Sequence, residues 1–149
     1  MVIGAKNVCK LAALLLLVSG CASQPDTANQ CGIVSTFSEP DRQANIYRVV
    51  VTHLDGKPVI SQPNYRLSPG LHTFVVAELI DAPSLKVKLS ARTPKELTVN
   101  VSHNERYHIG AKFNVDKVYR GNDKGFWQPE VWQQEAYECE YPEPLYLVL

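Results

Sequence analysis

Apolar and polar residues alternate with a period of two along much of the chain, and this alternation predicts β-strands. Every second residue is apolar between Leu97 and Val101, and again between Tyr107 and Phe113. Three consecutive valines at positions 49–51 predict a further strand that is buried on both faces. No long amphipathic helical pattern interrupts these segments. The chain is therefore predicted to be all-β and to form a single antiparallel β-sandwich.

Turn-forming residues separate the predicted strands. Asp55-Gly56 predicts a two-residue hairpin turn, and Ser68-Pro69-Gly70 predicts a type II turn, because proline fixes φ and glycine accepts a positive φ. Residues 121–125, which contain two glycines, predict a loop.

The strands at 97–101 and 107–113 follow one another closely, and a hairpin is the simplest interpretation. In that hairpin Val101 would pair with Tyr107 and Leu97 with Ala111, because this register keeps both apolar sets on one face.

The first twenty residues form a segment of a different kind. Lys6 and Lys10 precede an unbroken apolar run at positions 11–18, and small residues follow it. This order is typical of a signal peptide. As a helix the run would extend only about 12 Å, whereas a membrane span needs about 30 Å. Residues 1–20 are therefore predicted to be a signal peptide and not a transmembrane helix.

The cleavage region, Val18-Ser19-Gly20-Cys21, resembles the lipobox of bacterial lipoproteins. The resemblance implies cleavage before Cys21 and acylation of this cysteine with diacylglycerol on the thiol and a further fatty acid, such as palmitate, on the new amino terminus. Two or more acyl chains hold a protein stably on a membrane. Ala22 stands where inner-membrane lipoproteins carry Asp, so the resemblance implies an outer-membrane protein that faces the periplasm. The alternative is a plain secreted protein with a chance cysteine at this position.

Residues 21–30 contain no large apolar side chain and are predicted to be a flexible tether. The β-sandwich domain is accordingly expected at residues 31–149.

Two cysteines remain for the domain once Cys9 is removed with the signal peptide and Cys21 is acylated. Cys31 and Cys139 form an even pair in a chain predicted to be exported, which indicates a disulfide because the periplasm is oxidising. A metal or nucleophilic role for either thiol is poorly supported, since no Cys-x-x-Cys spacing occurs.

Charges are balanced in number but segregated along the chain. Fifteen Lys and Arg oppose fifteen Asp and Glu, which argues against a uniformly basic nucleic-acid-binding protein. Residues 86–124 carry nine basic and four acidic side chains, a net charge of +5, whereas residues 128–149 carry five Glu and no basic residue. The basic block could bind lipid phosphates, lipopolysaccharide or peptidoglycan carboxylates. The interpretation favoured here is that these are solvated strand faces partly neutralised by the acidic tail.

The middle of the chain, residues 46–113, resembles small β-sandwich lipoproteins and PEGA-type envelope domains. The shared features are the Asp55-Gly56 turn, the corner Leu67-Ser68-Pro69-Gly70-Leu71-His72 and the later Tyr107-His108-Ile109-Gly110-Ala111 strand. The resemblance implies an immunoglobulin-like or PEGA-like sandwich and supplies no catalytic residues.

Catalytic and metal-binding patterns are weak in this sequence. The four histidines lack the spacing of a metal pair, and no nucleophile elbow or phosphate-binding loop occurs, so we expect no enzyme, no metal and no cofactor. His72 is expected to hydrogen-bond back to the Pro-Gly corner.

The functional prediction is a lipid-anchored envelope lipoprotein that acts as a structural or protein-interaction module. An alternative is a glycan- or peptidoglycan-binding module, and a hydrolase is a third hypothesis. The candidate ligand-binding residues are two tryptophans and three basic side chains, namely Trp127, Trp132, Arg106, His108 and Lys112. Because an unbroken strand would point residues five apart to opposite faces, at most one of the tryptophans is expected in the core.

Overall fold

Two sheets, both built mainly from antiparallel strands, pack against each other in the computed structural model, which describes residues 28–142. The predicted signal peptide and acylation site lie outside the described residues. So does the apolar C-terminal end at positions 145–149. Eleven strands are described: β1 (Gly32–Ser35), β2 (Ile46–Tyr47), β3 (Val49–Leu54), β4 (Lys57–Pro58), β5 (Asn64–Leu67), β6 (Gly70–Glu78), β7 (Lys86–Val87), β8 (Lys95–Val101), β9 (Glu105–Phe113), β10 (Arg120–Gly121) and β11 (Trp127–Ala136).

One sheet has the order β11-β9-β1-β5, with β2 also paired to β9, and the other has the order β4-β3-β6-β8. Strands β7 and β10 form a small parallel ribbon of their own. The only helical element in the described part is a 3₁₀ turn at Leu89–Ala91. The predicted all-β sandwich is confirmed.

The core lies between the two sheets and follows the period-two pattern. The inward side chains of β9 begin at Tyr107 and end at Phe113, and they share one apolar cluster with Val99 and Val101 of β8 and with Phe74 of β6. Burial of these side chains is the main force that holds the sheets together. Alternation in the sequence therefore identified the core side of each of these strands.

The hairpin between β8 and β9 predicted from that alternation is wrong. Strand β8 pairs with β6, and β9 pairs with β1, β2 and β11, so the two strands lie in opposite sheets. Asn104 takes a positive φ of 58° in the short connection, and the Ser102 amide donates to the Tyr107 hydroxyl at 3.0 Å. Two strands with one apolar face each can lie side by side or face each other across a core, and the alternation is the same in both cases.

The Asp55-Gly56 hairpin is confirmed. Strands β3 and β4 pair with Leu54 opposite Lys57, and both turn residues have positive φ, 49° and 77°. These values are those of the turn that matches the twist of a two-residue hairpin.

The type II turn predicted at Ser68-Pro69-Gly70 does not form: the chain bends at Pro69, and Gly70, with a φ of 132°, already begins β6 in the other sheet. Strand β5 pairs with β1, whereas β6 pairs with β3 and β8. The segment between β6 and β8 is irregular: only Lys86–Val87 is a strand there, and Leu89 begins the 3₁₀ turn.

The predicted disulfide between Cys31 and Cys139 is present, with the two Cα atoms 5.3 Å apart. Both cysteines are buried, and they form a small cluster with Ile33 that Tyr141 partly covers. Residues at the end of the predicted tether already belong to this structure, since Gln30 forms a β-bridge with Glu140. Both ends of the described domain are therefore fixed together at one place.

A buried ion pair stabilises the far end of β6. The Glu78 carboxylate accepts hydrogen bonds from Nε and Nη2 of Arg92 at 2.6 and 2.8 Å, and from the Ile80 amide at 2.6 Å. Arg92 Nη2 also donates to the Ile80 carbonyl at 2.8 Å. The buried carboxylate is thus fully used in holding the segment that follows β6.

Candidate functional site

The outer face of the larger sheet carries most of the candidate ligand-binding residues. Strand β9 points Tyr107 and its alternate neighbours into the core, so Arg106, His108 and Lys112 lie on the other face. The sequence predicted this division correctly, although it paired the strand with the wrong partner.

Strand β11 adds Trp132 to this face. The pairing of β11 with β9 shifts between Val131 and Gln133, so that Trp132 is the extra residue of a β-bulge. Its ring lies with its centroid 5.6 Å from that of His108, at an interplanar angle of 44°.

Gly110 makes room for this arrangement. A Cβ at Gly110 would lie 3.0 Å from Cδ1 of Trp132, 2.9 Å from Cγ2 of Ile46 and 3.0 Å from the Tyr47 carbonyl oxygen. The absence of a side chain therefore allows Trp132 and Ile46 to close over β9.

His108 is buried beneath this face and is 2% exposed. Its Nε2 lies 2.8 Å from Oε1 of Glu135, whereas its Nδ1 is buried and has no hydrogen-bond partner among the described residues. The hydrogen bond from His108 lowers the pKa of the Glu135 carboxyl, and the positive charge of Arg106 adds to this effect.

Arg106 lies at the other end of the same group. Its Nη1 is 3.5 Å from Oε1 of Glu135, and its guanidinium carbon lies 3.4 Å from the centroid of the Tyr137 ring. A guanidinium stacked on an aromatic ring is held in place by both the ion pair and the cation–π contact.

Two open clefts flank this central group. One, of about 320 Å³, lies beside Trp132, and the other, of about 460 Å³, lies beside Arg106 and Tyr137. The first is lined by acidic, amide, basic and apolar side chains: Asp41, Ala44, Ile46, Lys112, Glu130, Trp132 and Gln133. Four of these seven residues are polar or charged, so this open cleft is more polar than the usual small-molecule pocket, which is lined mostly by apolar side chains.

Lys112 projects into the first cleft but is not a free cation there, because its ammonium group donates to the Ala44 carbonyl oxygen. Asp41 is similarly engaged through one oxygen, which accepts from the Gln43 and Ala44 amides at 2.9 and 3.1 Å. These bonds fix the loop that forms one wall of the cleft.

Trp127 is not part of this face. It is 1% exposed and belongs to the core cluster, and Nζ of Lys95 lies 5.1 Å from its ring centroid. Burial lowers the pKa of the Lys95 ammonium, which donates to the Trp127 carbonyl oxygen at 2.6 Å. The expectation that at most one tryptophan lies in the core is met by Trp127, and a platform made of both rings does not form.

His72 holds the corner that precedes it, as predicted. Its Nε2 lies 2.8 Å from the Ser68 carbonyl oxygen and its Nδ1 lies 2.7 Å from Oδ2 of Asp55. The hydrogen bond from His72, together with the Thr73 amide, lowers the pKa of Asp55. Both ring nitrogens therefore connect the Pro-Gly corner to the Asp55-Gly56 hairpin.

Several members of the outer face were missed by reasoning from sequence. Glu135 lies in the acidic tail, which was interpreted only through its net charge, and Asp41 and Gln133 were not singled out. Asp41 comes from a loop far away in the chain, and the sequence contains no signal for the β-bulge at Trp132.

Two general features complete the description. Across residues 28–142, no helix has the length and apolar character needed to cross a membrane. In the same part of the chain, no cluster of three or more His, Cys, Asp or Glu side chains is arranged to hold a metal ion.

Comparisons of the chain with protein-family models, with curated proteins and with solved structures found no match.

Proposed function

We propose that the chain is a lipid-anchored lipoprotein of the bacterial cell envelope and that its β-sandwich is a non-catalytic interaction module. The observation that carries this proposal is the buried Cys31–Cys139 disulfide. Disulfides persist in oxidising compartments such as the periplasm, so the pair supports export independently of the lipobox-like residues around Cys21.

The position of the disulfide also suits a tethered domain. Strand β1 is only four residues long and follows directly after the predicted tether. A pull on the tether would act first on this strand, and the covalent link from Cys31 to Cys139 shares that force with the C-terminal part of the described chain, which lies beside it. The bond therefore prevents β1 from being peeled from its neighbours.

Acylation is tested by feeding cells an alkyne-bearing palmitate analogue and detecting label on the purified protein. The wild-type chain should be labelled, Cys21→Ser should lose the label, and Cys9→Ser should keep it. Equal labelling of wild type and Cys21→Ser, or no label on wild type, would contradict the proposal.

Outer-membrane location is tested by separating the two membranes on a density gradient. The wild-type chain should be found in the outer-membrane fraction, and Ala22→Asp should move it toward the inner membrane. A wild-type chain in the inner-membrane fraction would contradict the location.

The interaction role is assigned to the outer face around Trp132. A photo-crosslinking amino acid placed at Gln133 should capture one defined envelope component in intact cells. The same probe at Lys57, on the other sheet, should not capture it. Equal capture at both positions would mean that this face has no special role.

A second candidate function, glycan or peptidoglycan binding, is favoured by the cleft beside Trp132. An aromatic ring next to carboxylate and amide groups suits a sugar, because the ring packs on C–H groups while the polar groups bind hydroxyls. In co-sedimentation with insoluble peptidoglycan, Trp132→Ala should reduce the bound fraction several-fold, whereas Ile60→Ala should not. No sedimentation of the wild-type protein would exclude this candidate.

A further inference from the structure

The β7–β10 ribbon places like charges directly opposite each other. Lys86 and Arg120 are register partners in this parallel pair, and both are exposed. Lys88, two residues after Lys86, is also exposed, and its amide donates to the Gly121 carbonyl oxygen at 2.7 Å. Like charges opposite each other in a sheet are unfavourable, so the ribbon presents Lys86 and Arg120 where stability alone would not place them, and Lys88 adds a third exposed cation just after β7.

The nearby acidic groups do not neutralise these cations. Oδ2 of Asp123 accepts from Nζ of Lys117 at 3.1 Å and its Oδ1 accepts from the Gly125 amide at 3.0 Å, while Asp116 accepts from the Tyr119 hydroxyl. Within residues 28–142, none of the three ribbon cations takes part in an ion pair.

Two exposed apolar side chains accompany the cations. Leu89 directly follows Lys88 and is 83% exposed, and Val118, two residues before Arg120, is 59% exposed. Their inward neighbours Val87 and Tyr119 pack on the core. Val87 and Tyr119 thus anchor the ribbon on the core, while Leu89, at the start of the 3₁₀ turn, and Val118 are exposed close in the chain to the ribbon cations.

This surface lies at the end of the sandwich away from the disulfide. Strand β9 begins next to Cys31, whose carbonyl oxygen accepts from the Asn104 amide at 2.9 Å, and it ends at the loop that leads to β10. Nine extended residues span about 30 Å. The ribbon is thus separated from the predicted tether by about the length of the domain.

We propose that the ribbon surface formed by Lys86, Lys88, Leu89, Val118 and Arg120 binds the headgroup layer of an anionic lipid membrane. Cations near such a surface are attracted to lipid phosphates, and exposed leucine and valine side chains gain by entering the boundary with the acyl chains. Charge complementarity and the adjoining apolar side chains together favour a lipid surface over a soluble anion.

The lipid binding of the ribbon does not depend on the proposed function, but its role as a second membrane contact does. If the chain is anchored through Cys21, the domain has a second membrane contact at its opposite end. The contact would either lay the sandwich along its own membrane or bring its far end to another one. Vesicle binding by the ribbon and acylation of Cys21 are measured separately, so either can fail alone.

The test is flotation with lipid vesicles, using the chain expressed from residue 21 onward with Cys21→Ser, so that neither an acyl group nor the signal segment contributes. Vesicles containing about one third phosphatidylglycerol are compared with vesicles of pure phosphatidylcholine. Lys86→Gln/Arg120→Gln removes two ribbon cations, and Lys57→Gln/Arg66→Gln removes the same charge from β4 and β5. The ribbon variant should bind anionic vesicles about 30-fold more weakly, and the control should stay within about threefold of the parent.

Two further results would overturn the proposal. One is that the parent protein binds neither vesicle type. The other is that both double variants lose binding equally, which would indicate attraction by net charge alone. The double variant Leu89→Ser/Val118→Ser distinguishes a lipid contact from a site for soluble anions. It should weaken vesicle binding without affecting binding to soluble polyphosphate. If the variant binds vesicles as well as the parent does, the ribbon is a soluble-anion site and not a lipid contact.

Discussion

His108 and Glu135 join the central basic block to the acidic tail through a hydrogen bond of 2.8 Å between Nε2 and Oε1. Arg106 approaches the same oxygen at 3.5 Å, so one tail carboxylate serves two residues of β9. The other ion pairs of the basic block do not involve the acidic tail: Arg92 pairs with Glu78 of β6, and Lys117 pairs with Asp123 of the block itself. Among the described residues, the ion pairs between the two oppositely charged blocks therefore converge on Glu135.

The loss of stability caused by replacing Glu135 should be larger at neutral pH than at acid pH. The pKa of Glu135 is lowered in the folded state, so its contribution is present above the ordinary glutamate pKa and is lost as pH falls through the folded value. Glu135→Gln should lower the urea midpoint at pH 7, and the difference from wild type should shrink toward pH 3. Glu138→Gln, at an exposed tail position, should show little effect at either pH. Identical midpoints for both variants at pH 7 would refute the role of Glu135.

Removal of the disulfide should destabilise the domain substantially. The cross-linked residues Cys31 and Cys139 are 108 positions apart. A native disulfide that closes such a loop stabilises the folded state by about 2 to 5 kcal/mol, because it restricts the unfolded chain. Cys31→Ser/Cys139→Ser should lower the free energy of unfolding by that amount in urea titrations. Reductant should lower the midpoint of the wild type and leave that of the double variant unchanged. A reductant effect on both proteins would show that the cross-link is not its target.

Arg92→Met should be one of the more destabilising single substitutions at a polar site. It leaves the buried Glu78 carboxylate with only the Ile80 amide as a donor, and breaking a buried ion pair in this way costs about 3 to 5 kcal/mol. Adding Glu78→Gln to Arg92→Met should recover part of the loss, since the unpaired charge is removed. If the double variant is less stable than Arg92→Met by the full loss that Glu78→Gln causes alone, the two residues act independently and the coupling is absent.

Gly110→Ala should disturb the packing of the outer face around Trp132. The new Cβ would lie within about 3 Å of Ile46, Trp132 and the Tyr47 backbone, so we expect a loss of about 1 to 3 kcal/mol and a red shift of Trp132 emission as the ring moves outward. Gly125→Ala is the matched control, because its Cβ would first meet Oδ1 of Asp123, a side-chain atom, at 3.3 Å. Unchanged emission in Gly110→Ala would show that the ring is not held as described.

Short-range features of the fold were predictable because their causes are local. The hairpin at Asp55-Gly56 follows from residues that tolerate positive φ, and the outward position of His108 and Lys112 follows from alternation on one strand. The pairing of β8 was not predictable in the same way. Its apolar face is satisfied equally by a neighbour in the same sheet or by a strand across the core.

The sequence by itself determined the strand-rich character, the core side of β8 and β9, the two cysteines available for a disulfide and the segregation of charge. Each depends on residue type and on spacing within a few positions. Only the tertiary structure decided that Trp127 is buried while Trp132 lies over His108, that Glu135 meets Arg106, and that Lys86 lies opposite Arg120. These relationships join residues separated by tens of positions, and they depend on strand order and on a β-bulge. Both are set by how whole sheets pack and not by local preference.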